Sequence, residues 1–445
     1  MKVISECFVK PKHEVEASKD CIYLNPTEIA MLGAHPIQKG MLFALHQPTP
    51  STVVPNLFHK LQNSLSIVLL HFYPLAGRFA TQTLDDEHAC IVFIDCNKGP
   101  GAKLTHVVAP NVTISDIVSP THVPIIVRKF FDLGEEFVNY DCHTRPLLSI
   151  QVTELVDGVF IGFTMNHSVV DGTPFMHLVS MLSEVFCSKS TSGSLLEISK
   201  VPIYERAPLI KLPYLGLERI MVLRETAPLK DRVFHFTSKS LALLKAKANQ
   251  ECFSHEVSSF QSLASFIWRS ITRARNLSAD QETACCLVMN ARARIDPPVS
   301  DHYFGNYLAH AQTICRVGDL QSHDLGWAAK RVNDSIKAQD DKAIRSLWNW
   351  AADNIATPGF FSSEIDFHGP NAVVIGGSAR FDMYGLEFGL GKAVVVRTGF
   401  ANKIDGKVTA SQGCEGGGSV DLEISLIDEH MAALEADHEF MSFVS

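Results

Sequence analysis

The stretch from Leu147 to Gly172 constrains this chain more than any other. The runs Leu147–Leu155 and Val159–Met165 flank Val156-Asp157-Gly158, and an Asp-Gly pair between two strand-like runs is a strong hairpin signal. His167 then falls just past the second strand, within Asn166-His167-Ser168-Val169-Val170-Asp171-Gly172. Thr173 is read as the N-cap of a following helix with Pro174 at its first position. Phe175, Leu178, Val179, Leu182, Val185 and Phe186 recur at helical spacing and carry that helix to about Cys187. A strand-to-helix corner exposes side chains that a strand interior would bury.

A neutral imidazole is well matched to taking a proton near neutral pH, because its ordinary pKa is about 6.5. His167 is therefore a general-base candidate. A His followed four residues later by an Asp is a loose pattern, and its plain alternative is a half-buried histidine with satisfied hydrogen bonds. The corner itself, and Gly172 permitting a sharp turn, favour the functional reading. Zinc ligation by His167 and Asp171 is the other sharp option. The pair sits mainly before the helix and no companion Cys or His pair has ligand spacing, so no metal is expected.

The chain has 445 residues, 46% hydrophobic and 20% charged, enough for two domains. A net charge of -9 argues against a nucleic-acid partner. The 11 cysteines are scattered without a Cys-x-x-Cys pair, as expected for reduced thiols of a cytoplasmic protein. The first ten residues lack a long apolar core and include Glu6, so no secretory signal is expected; Ile67–Tyr73 is too short to span a bilayer, and no membrane partner is expected. No heptad pattern demands a partner chain, and a monomer is expected.

Along the chain, strands are read at Val3–Val9 and Leu42–Leu45, with a short helix capped by Thr27 between them. An amphipathic helix spans Val54 to about Tyr73 and ends at Pro74. Further strands follow at Cys90–Ile94 and Ala102–Val108. The polar run beginning at Ser188, with Pro202, Pro208 and Pro213 after it, reads as a crossover. This divides the chain into an N-terminal domain 1–190, a linker 191–225 and a C-terminal domain 226–445. The second set contains helices at Ser238–Gln250 and Ser258–Ala274, a strand at Ala284–Met289, one long helical pattern from Trp327 to Trp350, strands at Ala372–Gly377, Lys392–Thr398 and Gly418–Leu426, and a last helix from about Asp428. Two similar mixed halves leave a cleft between them, and His167 lies at it if its strand points inward.

Five segments in this order resemble the plant coenzyme-A-dependent acyltransferases of the BAHD type. They are Tyr73-Pro74-Leu75-Ala76-Gly77-Arg78, His167 to Gly172, Asn290-Ala291-Arg292-Ala293-Arg294, Tyr303-Phe304-Gly305-Asn306, and Glu387-Phe388-Gly389-Leu390-Gly391-Lys392. The resemblance implies an α/β fold of two similar mixed-sheet domains, chloramphenicol-acetyltransferase-like, with a channel at their interface. It implies that His167 takes a proton from the hydroxyl or amine of a small-molecule acceptor, which then attacks an acyl-CoA thioester; acyl-CoA is a co-substrate and no cofactor stays bound. Asp171 becomes a structural residue paired with an Arg, for which Arg292 is the candidate, and Glu387, Gly389 and Gly391 belong to a structural motif. Arg380 matches the place where relatives that accept carboxylated alcohols contact the acceptor's carboxylate, so a carboxylated acceptor is one reading of it and a structural Arg at a strand end is the other.

The last motif departs from the family pattern Asp-Phe-Gly-Trp-Gly: Glu387 replaces the Asp and Leu390 the Trp. The second change removes an indole N–H and bulk beside the channel, and one donor to a developing oxyanion is worth about 3 kcal/mol. A lyase acting on an anionic small molecule through His167 and Arg380, without coenzyme A, is therefore kept as an alternative, as is a non-catalytic binding protein, against which His167 and Gly172 both speak.

Overall fold

The computed structural model describes residues 1–16, 21–45, 52–134, 137–188, 197–204, 210–213, 228–354 and 368–445. The chain opens with β1 (Lys2–Val9), β2 (Cys21–Tyr23), α1 (Pro26–Ala30), β3 (Ile37–Ala44) and α2 (Val53–Val68). Next come β4 (Arg78–Leu84), β5 (Ala89–Asp95), β6 (Ala102–Val108) and α3 (Ile114–Val118). The hairpin expected from Asp157-Gly158 is β7 (Leu148–Glu154) and β8 (Gly158–Met165), paired from Leu148↔Met165 to Glu154↔Val159. Every residue of β8 is buried, as befits an inner strand covered on both faces. Gly162 lets the chain pass close beneath the loop before β7: a Cβ there would stand 2.4 Å from the Phe130 carbonyl oxygen. The helix after His167 is α4 (Gly172–Cys187).

The second half runs β9 (Leu212–Pro213), β10 (Leu229–Phe236), α5 (Ser238–Glu251), α6 (Ser259–Ala274), β11 (Glu282–Asn290) and β12 (Leu308–Arg316). It continues with α7 (Val317–Ser322), α8 (Leu325–Lys337), α9 (Asp341–Asn354) and β13 (Val373–Gly377). It closes with β14 (Val395–Thr398), β15 (Lys407–Gln412), β16 (Val420–Ile427), α10 (Asp428–Ala436) and α11 (His438–Met441). The helical pattern read as continuous from Trp327 to Trp350 is two helices, because the chain turns at Ala338 and Asp340 caps the next one by accepting the Ala343 N–H at 2.9 Å.

Among the described residues the strands form two six-stranded sheets, β1-β6-β7-β8-β3-β14 and β10-β16-β15-β13-β11-β12, beside a smaller one. Each large sheet is mixed, with parallel steps at β6/β7 and at β11/β13/β15. The fold class is therefore α/β with two sheet-rich halves. The halves interpenetrate: β14 comes from the second half yet completes the first sheet by pairing antiparallel with β3, from Val395↔Leu42 to Thr398↔Lys39. A division at residue 226 thus leaves one strand of the first sheet on the far side. The crossover read at 191–225 lies mostly outside the described residues.

The first core gathers Leu61, Leu65 and Val68 of α2 with Leu178 and Leu182 of α4 against the first sheet. It also takes in Met383, Leu386 and Phe388 from the second half. The second core sits on one face of the other sheet, where Cys285, Leu287, Val373, Ile375, Val408 and Ala410 meet α5, α6 and α8. Strand residues alternate faces, so Cys286, Val374, Gly376, Lys407 and Thr409 point the other way. That second face is turned towards the first half, where Glu423 of β16 accepts the Thr398 hydroxyl at 2.5 Å.

Candidate active site

His167 stands two residues beyond β8, on a turn built by asparagines. The Asn166 side chain donates to the Asn139 carbonyl at 2.8 Å and accepts the Ser168 N–H at 2.9 Å, while Asn139 accepts the His167 N–H at 2.8 Å. Asn306, from the second half, donates its amide to the His167 carbonyl. Four backbone and side-chain bonds therefore fix the corner before the imidazole is considered. The ring itself places Nδ1 3.0 Å from the Val170 carbonyl. A carbonyl can only accept, so Nδ1 carries the hydrogen and Nε2 keeps its lone pair free. Burial lowers the imidazole's pKa, with the positive charge of Lys407 acting in the same direction against the raising effect of Asp171. The ring is thus held neutral, in the tautomer a general base requires.

Asp171 does not reach the imidazole ring. Its Oδ2 accepts Arg292 Nη1 at 2.7 Å and the Tyr307 N–H at 2.9 Å, and its Oδ1 accepts the Thr173 N–H at 2.8 Å. Asp171, and not Thr173, is therefore the N-cap of α4: with Gly172 at the first helical position a carboxylate satisfies the exposed N–H groups better than a hydroxyl. Arg292 is fully buried and spends its second nitrogen on the Gly305 carbonyl at 2.7 Å. The pairing expected from the resemblance is present, and it ties the His167 corner to the Asn290–Arg294 and Tyr303–Asn306 segments of the other half.

A further carboxyl completes this seam. Glu28 of α1 accepts the Asn306 N–H at 3.1 Å and the Asn25 N–H at 2.7 Å, and burial pushes its pKa up to about 8. Asn25, rather than Thr27, caps α1, with Pro26 at its first position and the reciprocal Asn25–Glu28 bonds of a capping box. In the Tyr73–Arg78 segment, Arg78 is buried and donates to the Gly77 and Gly101 carbonyls at 2.7 and 3.0 Å, which holds the turn ahead of β4 in place.

The Glu387–Gly391 segment is held by its backbone. Ser183 Oγ of α4 accepts the Glu387 N–H and donates to the Glu387 carbonyl, each at 2.9 Å, while the Glu387 side chain is exposed with no ion pair among the described residues. Lengthening Asp to Glu is tolerated here because the anchoring uses main-chain atoms. Phe388 is 1% exposed and meets Phe43, Phe163 and Phe186 at ring-centroid distances of 6.3, 6.3 and 5.5 Å. Gly389 and Gly391 have φ of 71° and 79°, a region that favours glycine. Leu390 is half-buried against the first core. Arg380 is exposed; its backbone N–H donates to Ser378 Oγ at 3.1 Å, and its guanidinium has no hydrogen-bonding or ion-pairing partner among the described residues. Its neighbour Phe381 is the residue that reaches the corner: a Cβ on Gly172 would stand 2.8 Å from the Phe381 ring.

Two lysines on the facing sheets were not foreseen from the sequence. Lys407 of β15 lies close enough to shift the His167 equilibrium, and Lys39 of β3 stands over the Phe381 ring, 5.8 Å from its centroid. Strand β15 was not read at all and β3 was read only from Leu42. The period-two alternation Lys407-Val408-Thr409-Ala410-Ser411 is the signal that would have found the first. Among the described residues, no group of three or more His, Cys, Asp or Glu is placed to hold a metal ion, and no helix is long and apolar enough to cross a membrane.

Two mixed six-stranded sheets, the first completed by a strand from the second half, with a pinned and neutral histidine at their seam, define the two-domain acyltransferase class of fold. Comparison with known proteins carries this further. The Transferase family model matches residues 2–441. An uncharacterized acetyltransferase of Arabidopsis thaliana is 32% identical, with 98% of each chain covered. The BAHD acyltransferase DCR of the same plant is 31% identical over 99% of this chain and 92% of its own. Shikimate O-hydroxycinnamoyltransferase of Nicotiana tabacum is 27% identical over 88% and 89%. Among solved structures, vinorine synthase superposes with a TM-score of 0.74 at 19% identity, covering 100% and 98% of the two chains. TRI101 of F. graminearum, complexed with coenzyme A and T-2 mycotoxin, superposes at 0.73 with 18% identity over 96% and 99%. The chain belongs to the Transferase family, that of the BAHD acyltransferases. These relatives give no support to the lyase alternative.

Proposed function

We propose that the protein transfers an acyl group from an acyl-CoA thioester to a hydroxyl or amine of a small-molecule acceptor, with His167 as general base. The observation that carries this is the Nδ1 contact to Val170 in a ring that burial keeps neutral. In the reaction, Nε2 takes the acceptor's proton as its oxygen or nitrogen bonds to the thioester carbon. The C–S bond then breaks, and the imidazolium returns the proton to the departing coenzyme A sulfur. Asp171 and Arg292 position the corner without touching reactants. Leu390 offers no donor to the tetrahedral intermediate, so in this reading its charge is met by other groups of the site or by water. The coenzyme A complex of TRI101 supports the choice of donor by likeness of fold.

The test is thiol release from a panel of acyl-CoA thioesters in the presence of plant metabolite extracts, with new masses followed in parallel. His167→Ala and His167→Gln are expected to lower kcat/KM by about a hundredfold or more, the usual scale of general-base catalysis. Because the His167 pKa is lowered, the acid limb of the wild-type pH profile is expected below the ordinary imidazole value of about 6.5. Thiol release unaffected by both substitutions would overturn the assignment.

A further inference from the structure

Where the inner face of the second sheet meets the first sheet, two lysines lie without a carboxylate partner among the described residues. Lys403 on this face is fully paired, with Asp231 at 2.8 Å and Glu423 at 2.6 Å. Glu423 is used up by that pair and by Thr398. Lys39 and Lys407 have no hydrogen-bonding or ion-pairing partner among the described residues, although both are half-buried. An ammonium drawn out of bulk water without a counter-ion is costly, and two in mutual range are costlier.

Both lysines lie at the seam where the sheets meet: Lys39 is opposite Thr398, whose hydroxyl reaches Glu423, and Glu423 is opposite Thr409, two residues from Lys407 on the same face. Lys407 pairs across the sheet with Val374 of β13, and its ammonium lies over Gly376, where a Cβ would stand 3.3 Å from Nζ. The absence of a side chain at Gly376 is what gives the ammonium room. On the other side, Lys39 pairs with Thr398 of β14 and Phe163 of β8, and its ammonium lies over Phe381, which itself packs against Gly172 at the start of α4. Lys39 and Lys407 thus approach the His167 corner from opposite sheets.

We infer that Lys39 and Lys407 form an anion subsite beside His167, which selects a substrate bearing a carboxylate. This inference rests on the acyl-transfer reading and deepens it. A carboxylate between the two ammonium groups supplies the counter-ion that the protein withholds, and it sets the orientation of the molecule presented to Nε2. Burial lowers the pKa of both lysines, that of Lys39 to about 8, where Glu423 pulls upward and Lys407 downward. Lys407 is raised by Cys286 and in turn lowers His167 and His310. A bound anion opposes this lowering by favouring the charged form of each ammonium group. The exposed Arg380 is not needed for such recognition. A dicationic polyamine is repelled by the same pair.

The carboxylate belongs either to the acceptor or to the acyl group, and two arms of a calorimetric binding experiment on the full chain separate them. One compares shikimate with its methyl ester, and the other malonyl-CoA with acetyl-CoA; putrescine serves as the cationic control. In at least one arm the acid is expected to bind about tenfold to a hundredfold more tightly than its neutral counterpart, the scale of a charge-assisted hydrogen bond. That preference is expected to vanish in Lys39→Met and Lys407→Met, to persist in Lys39→Arg and Lys407→Arg, and to weaken above pH 8 as Lys39 loses its proton. Thermal unfolding of each variant establishes that it is folded. Equal binding of acid and neutral forms in both arms, or a preference that survives Lys39→Met/Lys407→Met, overturns the subsite. Thiol release by the wild type separates the two readings: acid preference retained without any thiol release would leave the subsite standing and remove the acyl-transfer reading, whereas thiol release with equal binding of acid and neutral forms would do the reverse.

Discussion

At the scale of single residues, the His167 and Asp171 pair divides its labour by direction. The imidazole turns to a backbone carbonyl and the carboxylate to a guanidinium, so one residue is left free to react while the other is consumed by structure. Asp171→Asn keeps the shape and one acceptor oxygen but leaves Arg292 as an unpaired charge, fully buried. Breaking a buried pair from one side costs about 3–5 kcal/mol. Urea unfolding is expected to register a loss on that scale, with activity falling because the corner loosens. A variant of unchanged stability that has lost only its chemistry would contradict the positioning role. The corner's residue types and order were legible because the carboxylate, the arginine and the glycine each stand in a recognisable motif. Lys39 and Lys407 were not, because an isolated lysine on a strand reads as solvated surface until the opposing sheet is known.

At the scale of elements, the short α1 acts as a clasp. Its Glu28 joins the first half to the backbone of Asn306, which in turn donates to the His167 carbonyl. The pKa of Glu28 is raised from 4.5 to about 8, so the folded state holds a proton that the unfolded state has released over this interval. Stability from Glu28 is therefore complete below pH 4.5 and is lost as pH rises through 8. Glu28→Gln is expected to remove that dependence: relative to wild type, its urea midpoint is expected to improve steadily between pH 5 and pH 8.5. A difference that stays constant over this range would show that Glu28 is already ionised in the folded protein. The same scale explains the limits of sequence reading. The β7–β8 hairpin and α6 were read nearly whole, since a strong turn and a broad apolar stripe mark them. The break between α8 and α9 was missed because both helices share one amphipathic period, and the turn between them contains neither Gly nor Pro.

At the scale of the whole molecule, the two halves are legible as repeated mixed α/β sets, but their interpenetration is not, since no local pattern reports which sheet a strand joins. Phe388 is the clearest case: by sequence it belongs to the second half, by packing to the first core. Phe388→Ala is expected to cost about 3–5 kcal/mol, the scale for a deleted buried phenyl ring. Fluorescence and circular dichroism are expected to show both halves still melting together in one transition at lower temperature. Two separated transitions would mean that the shared core does not couple them.

Strand β14 has a consequence for how the protein is made. Residues 395–398 close the first sheet along β3, so the open edge of β3 waits through synthesis of nearly the entire second half before its partner leaves the ribosome. An unpaired inner strand edge is a template for pairing with other chains. A chain truncated before Val395 is therefore expected to expose the β3 edge and to aggregate where the full chain stays in solution, which light scattering of the two side by side would register.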